Sequence, residues 1–333
     1  MRFGPYVKRW STDHLDYFPL KEGLPKMAIG LKKLPSPATS KRERIFQIDE
    51  SFPHYRAAKI EGRLERQSKY YQRREDPPAR LIEWMIGRLA SENPVDYRWD
   101  EATRSLQVGP TGETLAFTAD WALEPARTRS PFTYTDAFDA IAMNVAEDLV
   151  FMRQNPDGET ESRLIHLCVP NDWAAEKAIG QNFDYIHKPI PGIDTIIRRP
   201  VQMIQGIIRQ ADSFERVGAV GFRTEIRLNE HPDFSACVRN RTFSAAEPSL
   251  FVRFERQTVT GFPDLGAFLF TIRTYVRNLV DDNGRPEPAE VLAKIFREDF
   301  TGQHVNHYSK TFIEANRDQL LKWSDAVTPT DPS

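Results

Sequence analysis

The chain has 333 residues, of which 40% are hydrophobic and 28% are charged, and its formal net charge is −2. This composition predicts a globular protein of one large domain or two, without the overall basic charge that nucleic-acid binding requires. The two cysteines, Cys168 and Cys237, do not suggest a disulfide framework. No apolar run reaches the roughly 18 residues of a membrane-spanning helix, and no signal peptide is apparent, so we expect a cytoplasmic protein that does not enter the membrane.

The first third of the chain mixes irregular and helical segments. Residues 1–45 predict an extended arm with one apolar patch at 27–34. Residues 55–76 predict a polar helix, and its interspersed acids indicate a solvated face rather than a nucleic-acid patch. A second helix follows, with an apolar stripe formed by Leu81, Trp84, Met85 and Leu89. Residues 96–121 predict a hairpin or an irregular pair of strands, with the turn at 109–112.

The pattern changes after a helix predicted at 135–147, for which Thr135 is the expected N-cap. Two strands separated by a turn at 155–158 should pair antiparallel. A helical region at 171–213 follows, in which Pro200 suits the first position of a helix. Three further strands without intervening helices should be antiparallel neighbours. The five predicted strands are 148–154, 163–169, 216–229, 249–257 and 267–276.

This order of elements predicts an α+β fold with a PAS-like five-stranded antiparallel sheet and helices packed on it. The space between sheet and helices could hold a ligand. We expect an N-terminal extension with helices and a small hairpin at 1–134, the PAS-like core at 135–280, and C-terminal helices packed on the core at 281–333.

The stretch 163–192 contains a histidine in stiff, apolar surroundings. His187 follows an aromatic segment, and Pro189 and Pro191 restrict the backbone after it. A neutral imidazole in such a place can bind haem iron through one nitrogen while the other donates a hydrogen bond. The alternative is a structural histidine. His166, inside a strand, could face a ligand or belong to the core, and Cys168 could be a thiolate ligand or a small buried hydrophobe.

Other standard motifs are absent from the sequence. There is no GxGxxG loop, P-loop, HExxH, CxxC or GxSxG. Two cysteines do not suffice for an iron–sulfur cluster. His304 and His307 share a face of a predicted helix, but no carboxylate pattern completes a metal site, so we interpret them as surface histidines.

The second informative stretch is 251–275, whose two halves alternate as strands. Polar side chains that could line one surface across a hairpin are Arg253, Glu255 and Gln257 in the first half and Thr271, Arg273 and Tyr275 in the second. If the surface is covered, these groups need internal partners or a ligand. Arginine suits carboxylates such as haem propionates, and glutamate suits a cationic substrate. The alternative is a solvated sheet face.

Several segments together resemble one family, that of the alpha subunit of haem-dependent oxidative N-demethylase, a dimethylamine monooxygenase. The most specific segments are ERQT at 255–258 and LFTIRTY at 269–275. Further matching segments are MAIGL at 27–31, EDL at 147–149, CVPNDW at 168–173, IHKPIP at 186–191 and HYSK at 307–310.

The resemblance implies a PAS-like enzyme with haem b, which activates O2 and oxidises a methyl group of a small secondary amine to formaldehyde. It implies electrons from NADPH, delivered by a separate reductase partner that carries FMN and an iron–sulfur cluster. At the matching positions, His187 would be the axial ligand of the haem iron and Arg256 and Arg273 would bind the cofactor. Glu255 and Tyr275 would be the catalytic pocket groups.

The sequence also departs from the family pattern. Asn171 stands where a serine is common, and the third strand has Phe222 as its nearest aromatic where an Asn-Trp pair is common. The departures leave the substrate open. Two further hypotheses are a non-enzymatic PAS-type haem or small-ligand sensor, and a member that has lost haem and serves as a scaffold.

Overall fold

The protein is α+β, built on a seven-stranded antiparallel sheet and a separate three-stranded sheet. The computed structural model describes residues 19–25, 30–234, 242–301 and 305–326. In chain order the strands of this part are β1 (Lys32–Lys33), β2 (Tyr71–Arg73), β3 (Tyr97–Asp100), β4 (Ser105–Val108), β5 (Glu113–Ala116), β6 (Asp148–Gln154), β7 (Thr160–His166), β8 (Ser213–Arg223), β9 (Phe251–Phe262) and β10 (Ala267–Asn278). The large sheet has the order β1-β8-β9-β10-β6-β7-β2, and the small sheet has the order β3-β4-β5.

Helices surround the large sheet. In the described ranges they are α1 (Phe52–Tyr70), α2 (Ala79–Glu92), α3 (Ala137–Met143), α4 (Ala175–Ala178), α5 (Phe183–His187), α6 (Ile193–Ile196), α7 (Pro200–Gln210), α8 (Ala289–Arg297) and α9 (His307–Asp325). None of these helices is long and apolar enough to cross a bilayer. The apolar patch predicted at 27–34 lies partly outside the described residues, because 26–29 are not among them.

The predicted five-stranded PAS-like sheet is wrong, although the α+β class is confirmed. All five predicted strands are present, but the N-terminal region adds one short strand to each edge of their sheet. β1 pairs with β8, and β2 pairs with β7. An uncovered edge strand presents unpaired N–H and C=O groups, and these two strands cover part of each edge. The domain boundaries at 134/135 and 280/281 stay predictions.

Predicted pairings are confirmed, whereas some boundaries are not. β6 pairs antiparallel with β7, and β8, β9 and β10 are antiparallel neighbours. β7 ends three residues earlier than predicted, because the carboxylate of Asp148 accepts the N–H groups of Cys168 and Val169 at 2.8 Å. Side chains that satisfy backbone donors in this way compete with the ladder.

Of two predicted helix starts, one is confirmed and one is wrong. Pro200 does begin α7, as its fixed φ favours. The N-cap of α3 is Asp136, whose side chain accepts the N–H of Asp139, and not Thr135. The hairpin predicted at 96–121 is a three-stranded meander, whose β4 and β5 are joined through the predicted turn at 109–112.

The strand register divides the large sheet into two faces. Directly paired residues share a face in an antiparallel sheet. Face A contains Glu255, and face B contains its neighbour Arg256. On face A, α4, α5 and α7 bury an apolar cluster that includes Val150, Ile165, Ile204, Val259 and Phe268. On face B, α2 and α3 cover one end and α8 and α9 the other, around Leu149, Phe151, Val252, Phe254 and Leu269.

Helix α7 packs so closely on β9 that one strand position requires glycine. A Cβ at Gly261 would lie 2.9 Å from the Cα and carbonyl oxygen of Ile208, and nearer still to the carbonyl oxygen of Ile207. Since these are backbone atoms, a larger residue can be accommodated only by moving the helix.

We therefore expect Gly261→Ala to lower the free energy of unfolding by about 2 kcal/mol, the usual cost of overpacking. Gly206→Ala, within α7, is the matched control, because nothing lies within 4 Å of its Cβ position. It should raise stability by about 0.5–1 kcal/mol through helix propensity. Urea unfolding followed by circular dichroism tests both variants, and equal midpoints for Gly261→Ala and the unmodified protein would contradict the close contact.

Candidate functional site

His187 is the last residue of α5, on the face A side of the sheet. The side chain of Asn182 accepts the N–H of Tyr185 at 2.8 Å and begins this short helix. The imidazole stacks on Phe183, with ring centroids 3.9 Å apart. Its Nδ1 lies 2.8 Å from the carbonyl oxygen of Phe183. The histidine is therefore held in one orientation by its own helix.

The hydrogen bond to Phe183 determines which nitrogen of His187 carries the proton. A carbonyl oxygen only accepts, so Nδ1 is the donor and the lone pair is on Nε2. Burial lowers the pKa of His187, and the field of Arg216 lowers it further, while the Phe183 carbonyl opposes both. The ring is thus a neutral imidazole. In the part of the chain that the structure describes, Nε2 has no hydrogen-bond partner.

Charged and polar side chains from two strands lie on the same face of the sheet. In the register, Arg216 is paired with Gln257 and Gly218 with Glu255. The Gln257 amide donates to Glu255 at 2.9 Å. Burial raises the pKa of Glu255, and Arg253 partly offsets this. Burial also lowers the pKa of Arg216, and Glu255 opposes that shift. The sheet therefore presents a cation and an anion to the side that carries His187.

The space beside α5 is small. A cavity of about 20 Å³ is lined by Thr160, Asn182, Phe183, Pro200 and Ile204, among others. This volume holds about one water molecule. This cavity is therefore too small to be a ligand site in this conformation.

The other predicted site residues lie on face B, away from His187. Arg256 pairs with Glu215 at 2.8 Å, and Arg273 pairs with Asp49 at 2.8 Å. Arg273 also donates to the carbonyl oxygen of Gln47, while the hydroxyl of Tyr275 donates to the side chain of Gln47.

These three side chains hold the segment 45–49 against face B. Arg256 reaches the carbonyl oxygen of Ile45 at 3.4 Å. The structure thus brings His187 and Glu255 to one side of the sheet and Arg256, Arg273 and Tyr275 to the other. The predicted common surface of the hairpin is wrong, because the register pairs Arg273 with Arg256 and Thr274 with Glu255.

His166 and Cys168 belong to the core. His166 is 2% exposed, its Nε2 lies 3.4 Å from Asp139, and its Nδ1 lies 3.8 Å from the sulfur of Cys168. Burial lowers the pKa of His166 to about 4 and raises the pKa of the Cys168 thiol. Of the two alternatives for each residue, the structure supports a satisfied core histidine and a buried thiol.

The remaining candidates do not assemble a metal site within the part of the chain that the structure describes. His307 is exposed, and His304 and Cys237 lie outside the described residues. Across the described ranges, no three or more His, Cys, Asp and Glu side chains form a group that could hold a metal ion.

An open cleft of about 800 Å³ lies beside the segment held on face B. Its lining includes Lys41, Arg44, Asp49, Glu50 and Asp96. The volume is within the range of ligand sites. The lining residues include no histidine, cysteine or tyrosine, the side chains that hold haem iron. The face A site is therefore the better candidate for an iron cofactor.

Arg216 was not identified as a site residue from the sequence. It is the first residue of the third predicted strand, where the alternation of side chains shows only that the position is polar. Its place opposite Gln257 follows from the β8–β9 register, which includes a bulge between Gly218 and Gly221. A glycine pair inside a strand is a signal of a bulge, and bulges often lie beside functional sites.

The buried His166 predicts a pH dependence of stability. Its folded pKa of about 4 lies below its ordinary value of 6.5. The unfolded chain therefore binds the proton more tightly, so this contribution is complete above pH 6.5 and is lost as the pH falls through about 4. We expect His166 to account for about 3 kcal/mol of destabilisation over that interval.

Urea unfolding between pH 7 and pH 4 measures this loss. His166→Asn should flatten the dependence, whereas the exposed His307→Asn should leave it unchanged. The same slope in His166→Asn and the unmodified protein would contradict the assignment.

Comparison with known proteins identifies the chain. A sequence profile described as "Haem-dependent oxidative N-demethylase, alpha subunit-like" matches residues 36–310, which is most of the chain and includes every residue of the face A site. A search of curated proteins found no match. The chain belongs to the haem-dependent oxidative N-demethylase alpha subunit-like family.

Proposed function

We propose that this protein is the haem-binding catalytic subunit of an oxidative N-demethylase. It would bind haem b on face A through His187 and oxidise a methyl group of a small secondary amine. The methyl carbon would leave as formaldehyde, with O2 as oxidant and electrons from outside. The observation that carries the proposal is the neutral imidazole of His187, held by Phe183 with its Nε2 lone pair without a partner.

The residues of face A fit the chemistry of such a cofactor. An imidazole whose Nδ1 donates to a backbone carbonyl is the usual arrangement of a histidine that binds a metal through Nε2. When bound, haem would supply the activation of dioxygen and the oxidation of the methyl carbon.

The space for a porphyrin would come from the helices. The cavity of about 20 Å³ beside α5 is far too small for the macrocycle, so α5 and α6 would have to separate from the sheet on binding. These helices have 5 and 4 residues. Since α5 contains no buried residue, displacing it disrupts little of the core.

Glu255 would act on the amine. A secondary amine is protonated near neutral pH, and its nitrogen must be neutral at the reacting stage. Glu255 is 5% exposed and one of its oxygens is occupied by Gln257. The raised pKa brings the carboxylate closer to the range in which it can take the ammonium proton.

The electrons require a partner. The family description names an alpha subunit, which suggests a second component. We propose a reductase subunit that uses NADPH and carries FMN and an iron–sulfur cluster. In the described ranges no group of three or more metal-ligating side chains is present for a cluster of its own.

His187→Ala should abolish haem binding, because no other imidazole in the described structure shares this placement. We expect the Soret absorbance per protein, after expression with haem supply, to fall at least tenfold. His307→Ala, at an exposed position, is the control. Amide hydrogen exchange should also change in α5 and α6 when haem is added to the unmodified protein. Full haem content in His187→Ala would refute the ligand assignment.

Glu255→Gln should weaken dimethylamine binding about tenfold with unchanged haem content, because a charged acceptor is lost. In the unmodified protein the affinity should fall as the pH is lowered through the raised pKa of Glu255, and the variant should lack this limb. Soret difference spectra measure both effects. Glu215→Gln changes a carboxylate on face B and should leave amine affinity intact.

Two results would change the interpretation. If Glu255→Gln binds the amine as tightly as the unmodified protein, Glu255 has no part in amine recognition. If haem binds but no amine shifts the spectrum or is turned over with a reductase, the protein is a haem sensor rather than a demethylase.

A further inference from the structure

Arg216 differs from Arg223, Arg256 and Arg273, which lie on the same or neighbouring strands, because it makes no ion pair within the described structure. Arg223 has Glu230, Arg256 has Glu215 and Arg273 has Asp49, each within 2.8 Å. Within the described structure, the buried Nε of Arg216 has no hydrogen-bond partner, and the residue makes no ion pair within 4.0 Å. A half-buried cation without a partner is costly, and the cost is removed when an anion binds.

The guanidinium of Arg216 lies close to Gly218. A Cβ at Gly218 would be 2.8 Å from one of its terminal nitrogens. Gly218 is the residue paired with Glu255, so the cation lies beside that carboxylate without bonding to it. One oxygen of Glu255 accepts from Gln257, and no bond to a described residue occupies the other. A cation and an anion held apart on one face match the two charges of an amino-acid head group.

We propose that the site takes a methylated amine that also carries a carboxylate, in other words an N-methyl amino acid. Arg216 would bind the carboxylate through paired N–H donors, the geometry in which guanidinium recognises this group. Glu255 would bind the secondary ammonium. A simple dialkylamine offers nothing to Arg216. This inference rests on the proposed function and specifies its substrate class.

A porphyrin propionate is the other carboxylate that could reach Arg216, since the field of Arg216 acts on His187. The two sources give different results in one experiment. A propionate partner would make Arg216 important for haem retention and irrelevant to the choice of amine. A substrate partner would make it irrelevant to haem retention and decisive for that choice.

The test compares N-methylglycine with N-methylethylamine, which has the methylated nitrogen without the carboxylate. Soret difference spectra of the haem-loaded protein give both dissociation constants. We expect N-methylglycine to bind at least tenfold more tightly, and Arg216→Met to remove this preference without changing haem content or the affinity for N-methylethylamine. Arg209→Met, at an exposed position of α7, removes the same charge and should retain the preference.

The outcomes separate the claims. Equal affinities in the unmodified protein, or a preference that survives in Arg216→Met, would overturn the substrate class. So would a loss of haem in Arg216→Met with the preference unchanged, which identifies the propionate as the partner. If the unmodified protein binds no haem, the proposed function fails. In that case, thermal shifts of the haem-free protein test the Arg216 site alone. A shift with N-methylglycine that Arg216→Met abolishes supports the site, and the absence of a shift overturns it.

Discussion

The register of the β9–β10 hairpin determines which charges can act together. The two strands pair along their full length, and Gly266, with a φ of 56°, ends the turn between them. The hydroxyls of Thr258 and Thr271 meet across the strands at 2.6 Å, which fixes the alignment. A slip of one residue would exchange the faces of every side chain on a strand. The separation of Glu255 from Arg256 therefore depends on this pairing.

Buried guanidiniums join the irregular segments to the two faces of that hairpin. Arg253, 1% exposed, donates to the carbonyl oxygens of Val169, Pro170, Arg227 and Leu228 at 2.9–3.0 Å. The chain that leaves β7 thus enters the face A helices from a fixed point. On face B, Arg273 does the same for the segment 45–49. Because the terminal nitrogens of both guanidiniums bond these segments, neither side chain can turn to a ligand without releasing a loop.

Local patterns in the sequence predicted the five central strands and their antiparallel neighbours, but not the two edge strands that complete the sheet. The alternation of side chains predicted the bounds of β6 correctly. Pro200 predicted the first residue of α7, because proline is unfavourable inside a helix. The end of β7 was wrong because the carboxylate that stops the ladder, Asp148, is 20 residues away from Cys168. The edge strands β1 and β2 have 2 and 3 residues, too few to show a period.

The candidate site could be predicted only in part, because local patterns do not contain the register of the strand pairing. His187 is conspicuous in the sequence because the prolines after it are local. Which strand residues face it depends on a pairing between segments roughly 40 residues apart, which no local pattern contains. Arg216 and Glu255 are therefore brought together only by the β8–β9 register. The family resemblance indicated the cofactor and the reaction, yet it could not separate the arginines that hold the backbone from Arg216, which makes no ion pair in the described structure.

The residues of the candidate site lie on two kinds of structure. His187 lies on a helix of 5 residues that packs on face A, while Arg216 and Glu255 lie on long paired strands. If α5 and α6 must be displaced for the cofactor to bind, the free energy of that displacement lowers the apparent affinity for the cofactor, whichever amine binds. Under the proposed function, the charges on the strands would keep their spacing through that movement. Substitutions in α5 should then alter how tightly the cofactor is held, and substitutions of Arg216 or Glu255 should alter which amine is accepted.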